Sequence, residues 1–238
     1  MKLHLLGVNG PFPQPRAATS GYLLEAGNGL FQFDLGSAVL SALTARTAPE
    51  DLTAVFLSHW HFDHAADLPV LAYRLQALKR SITVYAPEQP DSPLFQHIAA
   101  QPEIDLIPVS AGQELTLGDV RIRVTAARHP VPTVGYRVEQ GGKTFGYTGD
   151  TNTLPSLAED FRGCALLLAD ALFPSARWTE QLPHLSAQLA ATLAEEAGAD
   201  RLILTHLNPL FPPRLLLEEA RVIHPHTILA EAGTTAVL

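Results

Sequence analysis

The sequence predicts an α/β fold in which strands and helices alternate in both halves of the chain, with a run of strands between them. Short apolar runs that end at Gly, Asn or Asp are the pattern of strands bounded by turns. Longer segments with apolar residues every three or four positions indicate amphipathic helices. One polar cluster directly follows a buried strand, the position where α/β folds tend to place their chemistry.

The first half begins with a strand and a proline-containing loop, continues with a hairpin, and then changes to strand–helix units. The hairpin is predicted from Gly27-Asn28-Gly29, a turn signal between two apolar runs. A tight turn at Asp34 and Gly36 is predicted to open the next helix. The predicted strands cover residues 2–8, 22–26, 30–33, 52–57 and 82–85, and the predicted helices cover residues 34–43, 65–79 and 93–99.

The middle of the chain is predicted to be a strand meander, because glycine turns separate short apolar runs there. After it, strands and helices alternate again to the end of the fold. The predicted strands cover residues 104–109, 113–117, 120–126, 134–139, 143–148, 165–169, 201–205 and 227–229, and the predicted helices cover residues 184–197 and 215–222.

The length and charge of the chain limit the classes of protein to consider. A chain of 238 residues suits one domain, so we expect residues 1–238 to form a single unit. The net charge of −8 argues against a large nucleic acid as partner, because phosphate contacts need clustered Lys and Arg. The first residues have too short an apolar run for a signal peptide, and no stretch approaches the length of a membrane span. We therefore expect a cytoplasmic protein without a membrane partner.

The segment of residues 58–64, with the sequence SHWHFDH, carries the strongest functional signal. His59 and His61 are two apart in an extended segment, so their side chains point the same way and can bind one ion. Asp63 and His64 lie where the chain turns into a helix and suit a second ion. Imidazole and carboxylate groups are ligands for zinc and similar divalent metals.

The pattern His-x-His-x-Asp-His after a strand resembles the signature of the metallo-β-lactamase-fold hydrolases. The resemblance implies a four-layer αββα sandwich, with two face-to-face sheets and helices outside. It also implies further ligands downstream, and the sequence supplies candidates in order. His129 would complete the first site, His206 the second, and Asp150 in the Gly149-Asp150 turn would bridge both metals.

The seven candidate ligands thus imply two divalent metal ions without a cysteine ligand. Such a nitrogen and oxygen set suits Zn²⁺, with Mn²⁺ and Fe²⁺ as alternatives. Two adjacent cations would lower the pKa of a bridging water and give a hydroxide near neutral pH. Asp63 is also a candidate catalytic residue, because it can orient that hydroxide while it binds metal.

His184 is the second candidate catalytic residue, because neither metal site needs it. It is predicted to open the helix of residues 184–197, and helix N-termini favour anions. In the family subgroup that cleaves phosphodiesters, which includes ribonuclease Z-like enzymes and cyclic-nucleotide phosphodiesterases, a histidine at this place protonates the leaving oxygen or holds the phosphate. The resemblance therefore implies a metal-dependent phosphodiesterase acting on a small phosphodiester or a nucleotide, including cyclic ones.

Other functions stay open at this point. A tRNA 3′-processing endonuclease is disfavoured, because members with that activity carry a long glycine- and proline-rich arm between the positions of His129 and Asp150, where this chain has only a hairpin turn. A thioester or lactone hydrolase of the same fold would leave His184 incidental. A metal-binding regulatory module would need a broken site. The family often forms dimers, which leaves a homodimer as an alternative.

The remaining histidines and the one cysteine are predicted to be structural. His4 alternates with leucines on a strand and is expected to be exposed, and Cys164 lies in an apolar run and is expected in the core. The other structural histidines are His97, His224 and His226. The loop residues predicted as candidates for substrate contact are Asn9, Phe12, Phe173, Trp178 and Asn208.

Overall fold

The computed structural model describes residues 1–238, and its strands form two seven-stranded sheets. The first sheet has the strand order β14-β1-β2-β3-β4-β5-β6. Its strands from β3 to β6 run parallel, whereas β14, β1, β2 and β3 are antiparallel neighbours. The strands of this sheet are β1 (Lys2–Gly7), β2 (Gly21–Ala26), β3 (Gly29–Phe33), β4 (Ala54–Phe56), β5 (Ile82–Ala86), β6 (Ile104–Pro108) and β14 (Thr235–Val237).

The second sheet has the order β13-β12-β11-β10-β9-β8-β7. It begins as an antiparallel meander and becomes parallel from β10 to β13. The strands of this sheet are β7 (Glu114–Leu117), β8 (Val120–Ala126), β9 (Val134–Gln140), β10 (Lys143–Tyr147), β11 (Leu166–Asp170), β12 (Leu202–Thr205) and β13 (Thr227–Leu229).

Seven α-helices and two short 3₁₀ turns, Pro49–Asp51 and Ser175–Arg177, connect the strands. None of these helices has both the length and the apolar character that crossing a membrane requires. The helices are α1 (Val39–Thr44), α2 (Phe62–Ala65), α3 (Leu68–Leu78), α4 (Pro93–Ala99), α5 (Leu157–Asp160), α6 (Ala187–Ala197) and α7 (Pro213–Arg221).

Three apolar clusters join these elements into four layers. The central cluster of 24 buried residues lies between the sheets, and aromatic rings such as Phe33, Phe56 and Tyr136 pack across it at centroid distances of 5.3–5.5 Å. A second cluster packs α1, α3 and α4 on the first sheet, and a third packs α5, α6 and α7 on the second. The αββα sandwich implied by the sequence resemblance is therefore confirmed.

The strand directions bring several chain turns to one rim of the sandwich. Strands β8, β10, β11 and β12 run the same way in the second sheet, so their carboxyl ends share one edge. The carboxyl end of β4 in the first sheet faces that edge. The loops that follow these strands carry the candidate metal ligands of both halves of the chain.

Three local predictions were wrong. The helix predicted at residues 34–43 begins only at Val39, and the helix predicted at residues 184–197 begins at Ala187, with the Ser186 side chain accepting the Leu189 N–H as its cap. His4 is not exposed: β1 lies between β14 and β2, and the His4 side chain contacts Glu25 Oε1 at 2.7 Å and Thr235 Oγ1 at 2.8 Å. The missing element was β14, whose pairing covers this edge of β1.

Candidate metal centre

All eight residues predicted for the site lie at the common rim of the two sheets. The loop after β4 and helix α2 carry the first four, and each later residue follows its own element: His129 after β8, Asp150 after β10, His184 after β11 and His206 after β12. Ligands from the two halves of the chain therefore meet although up to 147 positions separate His59 from His206 in the sequence. The possible ligands form four overlapping groups: His59, His61 and His129; Asp63, His64 and His206; His59, His64 and Asp150; and Asp150, Asp170, His184 and His206.

The first cluster consists of His59, His61 and His129, whose ring nitrogens converge. His59 Nε2 lies 3.0 Å from His61 Nδ1, and His129 Nε2 lies 3.3 Å from the same Nδ1 atom. Three imidazole nitrogens facing one point are a suitable donor set for a divalent cation. The first two come from the edge of the first sheet and the third comes from the second sheet.

The second cluster consists of Asp63, His64 and His206. Asp63 Oδ2 lies 3.1 Å from His206 Nε2 and 3.6 Å from His64 Nε2. This cluster also joins the two sheets, since His206 follows β12 and the other two residues belong to α2.

Asp150 lies between the clusters. Its Oδ2 atom is 3.2 Å from His64 Nε2, 3.5 Å from His206 Nε2 and 3.7 Å from His59 Nε2. The carboxylate thus faces nitrogens of both groups, as the sequence analysis expected of a bridging ligand.

The histidines are oriented through the ring nitrogens that point away from the cluster centres. His59 Nδ1 contacts Ser58 Oγ at 2.9 Å, His64 Nδ1 contacts Asp34 Oδ2 at 2.7 Å, and His129 Nδ1 contacts the Pro183 carbonyl at 3.2 Å. Such outer contacts fix the tautomer and direction of ligating imidazoles. They leave the Nε2 atom of each of these histidines free to bind a cation.

Asp34 lies beneath the candidate metal site, where it contacts residues of the site and does not cap a helix. Its carboxylate accepts hydrogen bonds from Ser58 N at 2.7 Å, Ser58 Oγ at 2.9 Å and the Tyr147 hydroxyl at 2.5 Å, besides its contact with His64. The residue adopts a left-handed φ of 51°, which Asp tolerates better than most side chains. The prediction that the turn at Asp34 opens a helix was wrong, because Ala38 is the residue that precedes helix α1.

His184 and Asp170 form a hydrogen-bonded pair beside the clusters. His184 Nδ1 contacts Asp170 Oδ2 at 2.8 Å and lies 3.8 Å from Asp150 Oδ2. The sequence analysis missed Asp170, although a carboxylate that ends the wholly apolar run Leu166–Ala169 was a usable signal. Because α6 begins three residues later, His184 lies in the preceding loop, and its predicted place at a helix N-terminus was wrong.

The charges of the site differ between the two clusters. Burial lowers the pKa of His59, His61 and His129, which favours the neutral imidazoles that bind cations. Burial also lowers the pKa of His206, but the Asp150 and Asp170 carboxylates outweigh it and raise that pKa to about 10. In the same way, Asp150, Asp63 and Asp34 raise the pKa of His64 well above its usual value against the effect of burial. The second cluster is thus rich in carboxylates that favour positive charge.

The residues present fit divalent metal ions. His64 Nε2 is buried and has no hydrogen bond of acceptable geometry, although buried ring nitrogens normally have one. It points between Asp63 and Asp150, where a cation would satisfy all three side chains. The donor set is composed of nitrogen and oxygen atoms, which suits zinc and also manganese or iron.

Two glycines allow the ligand loops to pack closely. A Cβ atom on Gly10 would lie 2.0 Å from ring atoms of His206, so only glycine fits at this position beside the imidazole. Gly149 has a φ of +60°, and a Cβ atom there would lie 2.6 Å from the Val134 carbonyl. This turn directs the next residue, Asp150, toward the metal clusters.

The other predicted residues have mostly structural contacts. Asn9 donates to the Leu207 carbonyl, Asn208 accepts the Leu210 N–H, and Trp178 Nε1 donates to the His184 carbonyl at 2.9 Å. Cys164 is buried as predicted, and burial raises the pKa of its thiol to about 12. Of the remaining positions, His224 is buried, whereas His97 and His226 are exposed and Phe12 and Phe173 retain exposed surface.

Comparisons with known proteins agree with this architecture. Residues 22–207 match a protein family described as Beta-lactamase superfamily domain. A protein named Probable metallo-hydrolase YhfI, from Bacillus subtilis, is 32% identical over 229 residues, which cover 94% of this chain and 93% of that protein. A protein named Ribonuclease Z, from Methanopyrus kandleri, is 29% identical over 269 residues, with coverage of 97% and 95%.

Solved structures share the whole fold. The crystal structure of YhfI from Bacillus subtilis has a TM-score of 0.93 at 31% identity and covers 99% of this chain and 98% of that one. Human tRNase Z, short form, has a TM-score of 0.82 at 19% identity, with coverage of 100% and 99%, a likeness of fold alone. The family match over most of the chain and the full-length relative above 30% identity show that this chain belongs to the beta-lactamase superfamily.

Proposed function

We propose that the protein is a dinuclear metal-dependent hydrolase that cleaves a small phosphodiester or a nucleotide, cyclic nucleotides included. The observation that carries the proposal is the place of His184. Its Nδ1 atom is held by Asp170, and its ring lies 5.0 Å from that of His206 and 5.1 Å from that of His129. His184 belongs to neither three-residue cluster, and in the four-residue group that it shares with Asp150, Asp170 and His206 its Nδ1 atom is engaged by Asp170. A histidine held in this way beside the proposed ligands suits proton transfer.

The Asp170–His184 pair defines which nitrogen can act. Because the buried Asp170 carboxylate engages Nδ1 at 2.8 Å, Nε2 is the ring nitrogen of His184 that remains for proton transfer. The side chain is only 10% exposed, which limits competition from water. A protonated imidazole in this place can give the Nε2 proton to a departing alkoxide.

The ligand residues supply the remaining parts of the reaction. His59, His61 and His129 would hold one ion, Asp63, His64 and His206 the other, and Asp150 would contact both. Bound divalent ions supply a nucleophile at neutral pH by lowering the pKa of water, and they neutralise phosphoryl charge. Asp63 would in addition orient the attacking oxygen through its carboxylate.

The size of the substrate is argued from charge and loop length. The relative named Ribonuclease Z supports phosphodiester chemistry. In this chain, however, β9 and β10 are joined by only Gly141 and Gly142, so no long arm projects between the strands that lead from His129 to Asp150. The net charge of −8 also opposes a polyanion such as tRNA.

The proposal is tested with metal-loaded wild type, His184→Ala and Asp150→Ala. Each protein is assayed for metal content, for turnover of bis-p-nitrophenyl phosphate, and for turnover of a cyclic nucleotide, whose leaving group is an alkoxide. His184→Ala should keep both metals and lose 10²- to 10⁴-fold in turnover of the alkoxide substrate, with a much smaller loss for nitrophenolate, which needs no proton. Asp150→Ala should lose metal and both activities.

His226→Ala is the matched control, because His226 is an exposed histidine before β13, at the end of the sheet opposite the strand end that carries His206. It should behave as wild type in all three assays. Equal losses on both substrates in His184→Ala would remove the proton-donor role. Two bound metals without any diester turnover would instead favour thioester or lactone hydrolysis, and a wild type that binds no metal would refute the proposal altogether.

A further inference from the structure

Two partly exposed aromatic residues, Phe173 and Trp178, lie beside His184, and a third, Phe211, lies beside Phe173; we call these three residues the aromatic wall. The ring of Phe173 lies 6.1 Å from the ring of His184 and 6.1 Å from the ring of Phe211. Trp178 is fixed by the hydrogen bond from its Nε1 to the His184 carbonyl at 2.9 Å. The wall therefore begins in contact with the proposed proton donor and continues outward from it.

The backbone holds Phe173 and Phe211 in place relative to the site. The Phe173 carbonyl accepts the Ala187 N–H at 3.0 Å, which ties its loop to the first residue of α6. Phe211 N–H donates to the Asn208 carbonyl at 3.1 Å, two residues after His206. Both aromatic rings are thus carried by loops that also position site residues, so the wall is preformed.

Two more exposed apolar side chains lie on the loops that follow β12 and β1. Leu210 is 73% exposed beside Phe211, and Phe12 is 43% exposed in the loop after β1. The two loops are joined, because Leu207 N–H donates to the Val8 carbonyl at 2.8 Å and Gly10 N–H donates to the Leu207 carbonyl at 3.2 Å. Single exposed apolar residues are ordinary on protein surfaces, whereas an apolar group around a polar cleft marks a binding site.

We propose that the aromatic wall binds a planar ring on the leaving-group side of the substrate, such as the base of a nucleotide, and so determines specificity. The inference rests on the proposed function, because His184 defines that side. Aromatic faces stack on bases of any sequence, and each stacked base contributes strongly to affinity. The substrate would then be a nucleotide or another ring-bearing diester rather than a simple sugar phosphate.

The test measures binding rather than turnover. Metal-loaded protein is titrated calorimetrically with adenosine 5′-monophosphate, ribose 5-phosphate and inorganic phosphate. Wild type should bind the nucleotide on the order of tenfold more tightly than ribose 5-phosphate, which lacks only the base. Phe211→Ala should lose this difference and keep its affinity for ribose 5-phosphate, whereas Phe211→Tyr, which retains a ring, should keep the difference.

Tyr73→Ala is the matched control, because Tyr73 is a 65% exposed aromatic residue on α3 outside the wall. It should bind all three ligands as wild type does. Equal affinity of wild type for the nucleotide and the sugar phosphate would overturn the inference, as would a base preference that survives in Phe211→Ala.

Two further outcomes distinguish base binding by the aromatic wall from self-association of the chain and from failure of the proposed function. Sedimentation velocity of wild type and Phe211→Ala shows whether the wall joins copies of the chain, and an altered oligomeric state without an altered base preference would overturn the inference. Binding of the nucleotide with the expected base preference, but without turnover of any diester, would refute the proposed function and leave the role of the wall supported.

Discussion

Asp34 shows how one residue can organise a metal site without belonging to its ligands. Its carboxylate collects hydrogen bonds from Ser58 and Tyr147 and holds His64 by Nδ1 at 2.7 Å. The contacts connect the end of β4, the end of β10 and helix α2 at one buried carboxylate. An outer contact of this kind sets both the direction and the basicity of the ligating imidazole.

Asp34→Asn should weaken metal binding at the second cluster roughly 10- to 100-fold and leave the fold intact. Asparagine keeps the shape and tolerates the left-handed backbone, but it removes the negative charge beside His64 Nδ1. Metal titration with a fluorescent competitor chelator measures the affinity, and thermal unfolding of the chelated proteins checks the fold.

The control for this variant is Asp67→Asn. Asp67 is also a partly buried carboxylate that accepts a backbone hydrogen bond, from Leu40 N at 2.8 Å, but it contacts no histidine of the site. Its metal affinity should equal that of wild type. If Asp34→Asn binds metal as tightly as wild type, the negative charge of Asp34 is not needed to orient His64, and the hydrogen bonds with Ser58 and Tyr147 suffice.

For single residues, the sequence predicts candidate ligands that cluster along the chain. It misses residues such as Asp34 and Asp170, whose role is to hold a histidine that is distant in the sequence. The cluster at residues 58–64 combines three histidines and an aspartate, so its grouping was predictable. Asp34 and Asp170 each stand alone after an apolar run. Their partners, His64 and His184, lie 30 and 14 positions away, and no local spacing connects them.

At the scale of elements, the turn after β10 illustrates how a strand end directs a ligand. Gly149→Ala should destabilise the protein by about 1–2 kcal/mol from its positive φ and by a further 1–3 kcal/mol from the clash with the Val134 carbonyl. Because the clash moves the residue before Asp150, metal affinity should fall as well. Denaturant unfolding and metal titration measure the two effects.

Gly163→Ala separates these contributions. Gly163 has a φ of +66°, close to the +60° of Gly149, but a Cβ atom there would meet nothing within 4 Å. This variant should show only the conformational cost and bind metal normally. If both variants lose the same stability and neither loses metal affinity, the close packing at Gly149 has no role in the site.

The elements with strong periodicity were predictable, and their boundaries depended on caps and partners. Helix α6 illustrates both points: its apolar periodicity was recognised, but its start was predicted at His184, three residues before Ala187, although Ser186 is the usual N-cap signal. Strand β14 illustrates the second point. It has only three residues and is defined by its pairing with β1, which no pattern within Thr235–Val237 reveals.

At the scale of the whole molecule, each three-residue cluster of candidate ligands joins the two sheets. The first cluster combines His59 and His61 with His129, and the second combines Asp63 and His64 with His206. The local pattern indicated that His59 pairs with His61 and Asp63 with His64, whereas the places of His129 and His206 and the face-to-face sheets came from the resemblance. The central apolar cluster forms from both halves of the chain, which no local pattern encodes.

Removal of the metals should therefore lower the stability of the whole molecule. Ions present at about 1,000 times their dissociation constant stabilise the folded state by about 4 kcal/mol each. For a chain of this length, chelation should lower the unfolding temperature by about 10 °C or more. Differential scanning calorimetry with and without a chelator measures the shift.

Asp150→Ala is the comparison, because a variant that binds little metal should respond little to the chelator. The two proteins should therefore unfold at more similar temperatures after chelation than before it. Equal unfolding temperatures of wild type with and without chelator, at a verified loss of two metals, would show that the ions do not join the sheets energetically.

Because each ligand cluster joins the two sheets, metal binding also affects the rates of folding and unfolding. The ligands come together only when β4 of one sheet and β8 or β12 of the other have reached their final places. We therefore expect bound ions to act mainly on the rate of unfolding, as interactions that form after the folding transition state do. A metal-free chain would reach its native fold about as quickly as a loaded one, and it would leave that fold sooner.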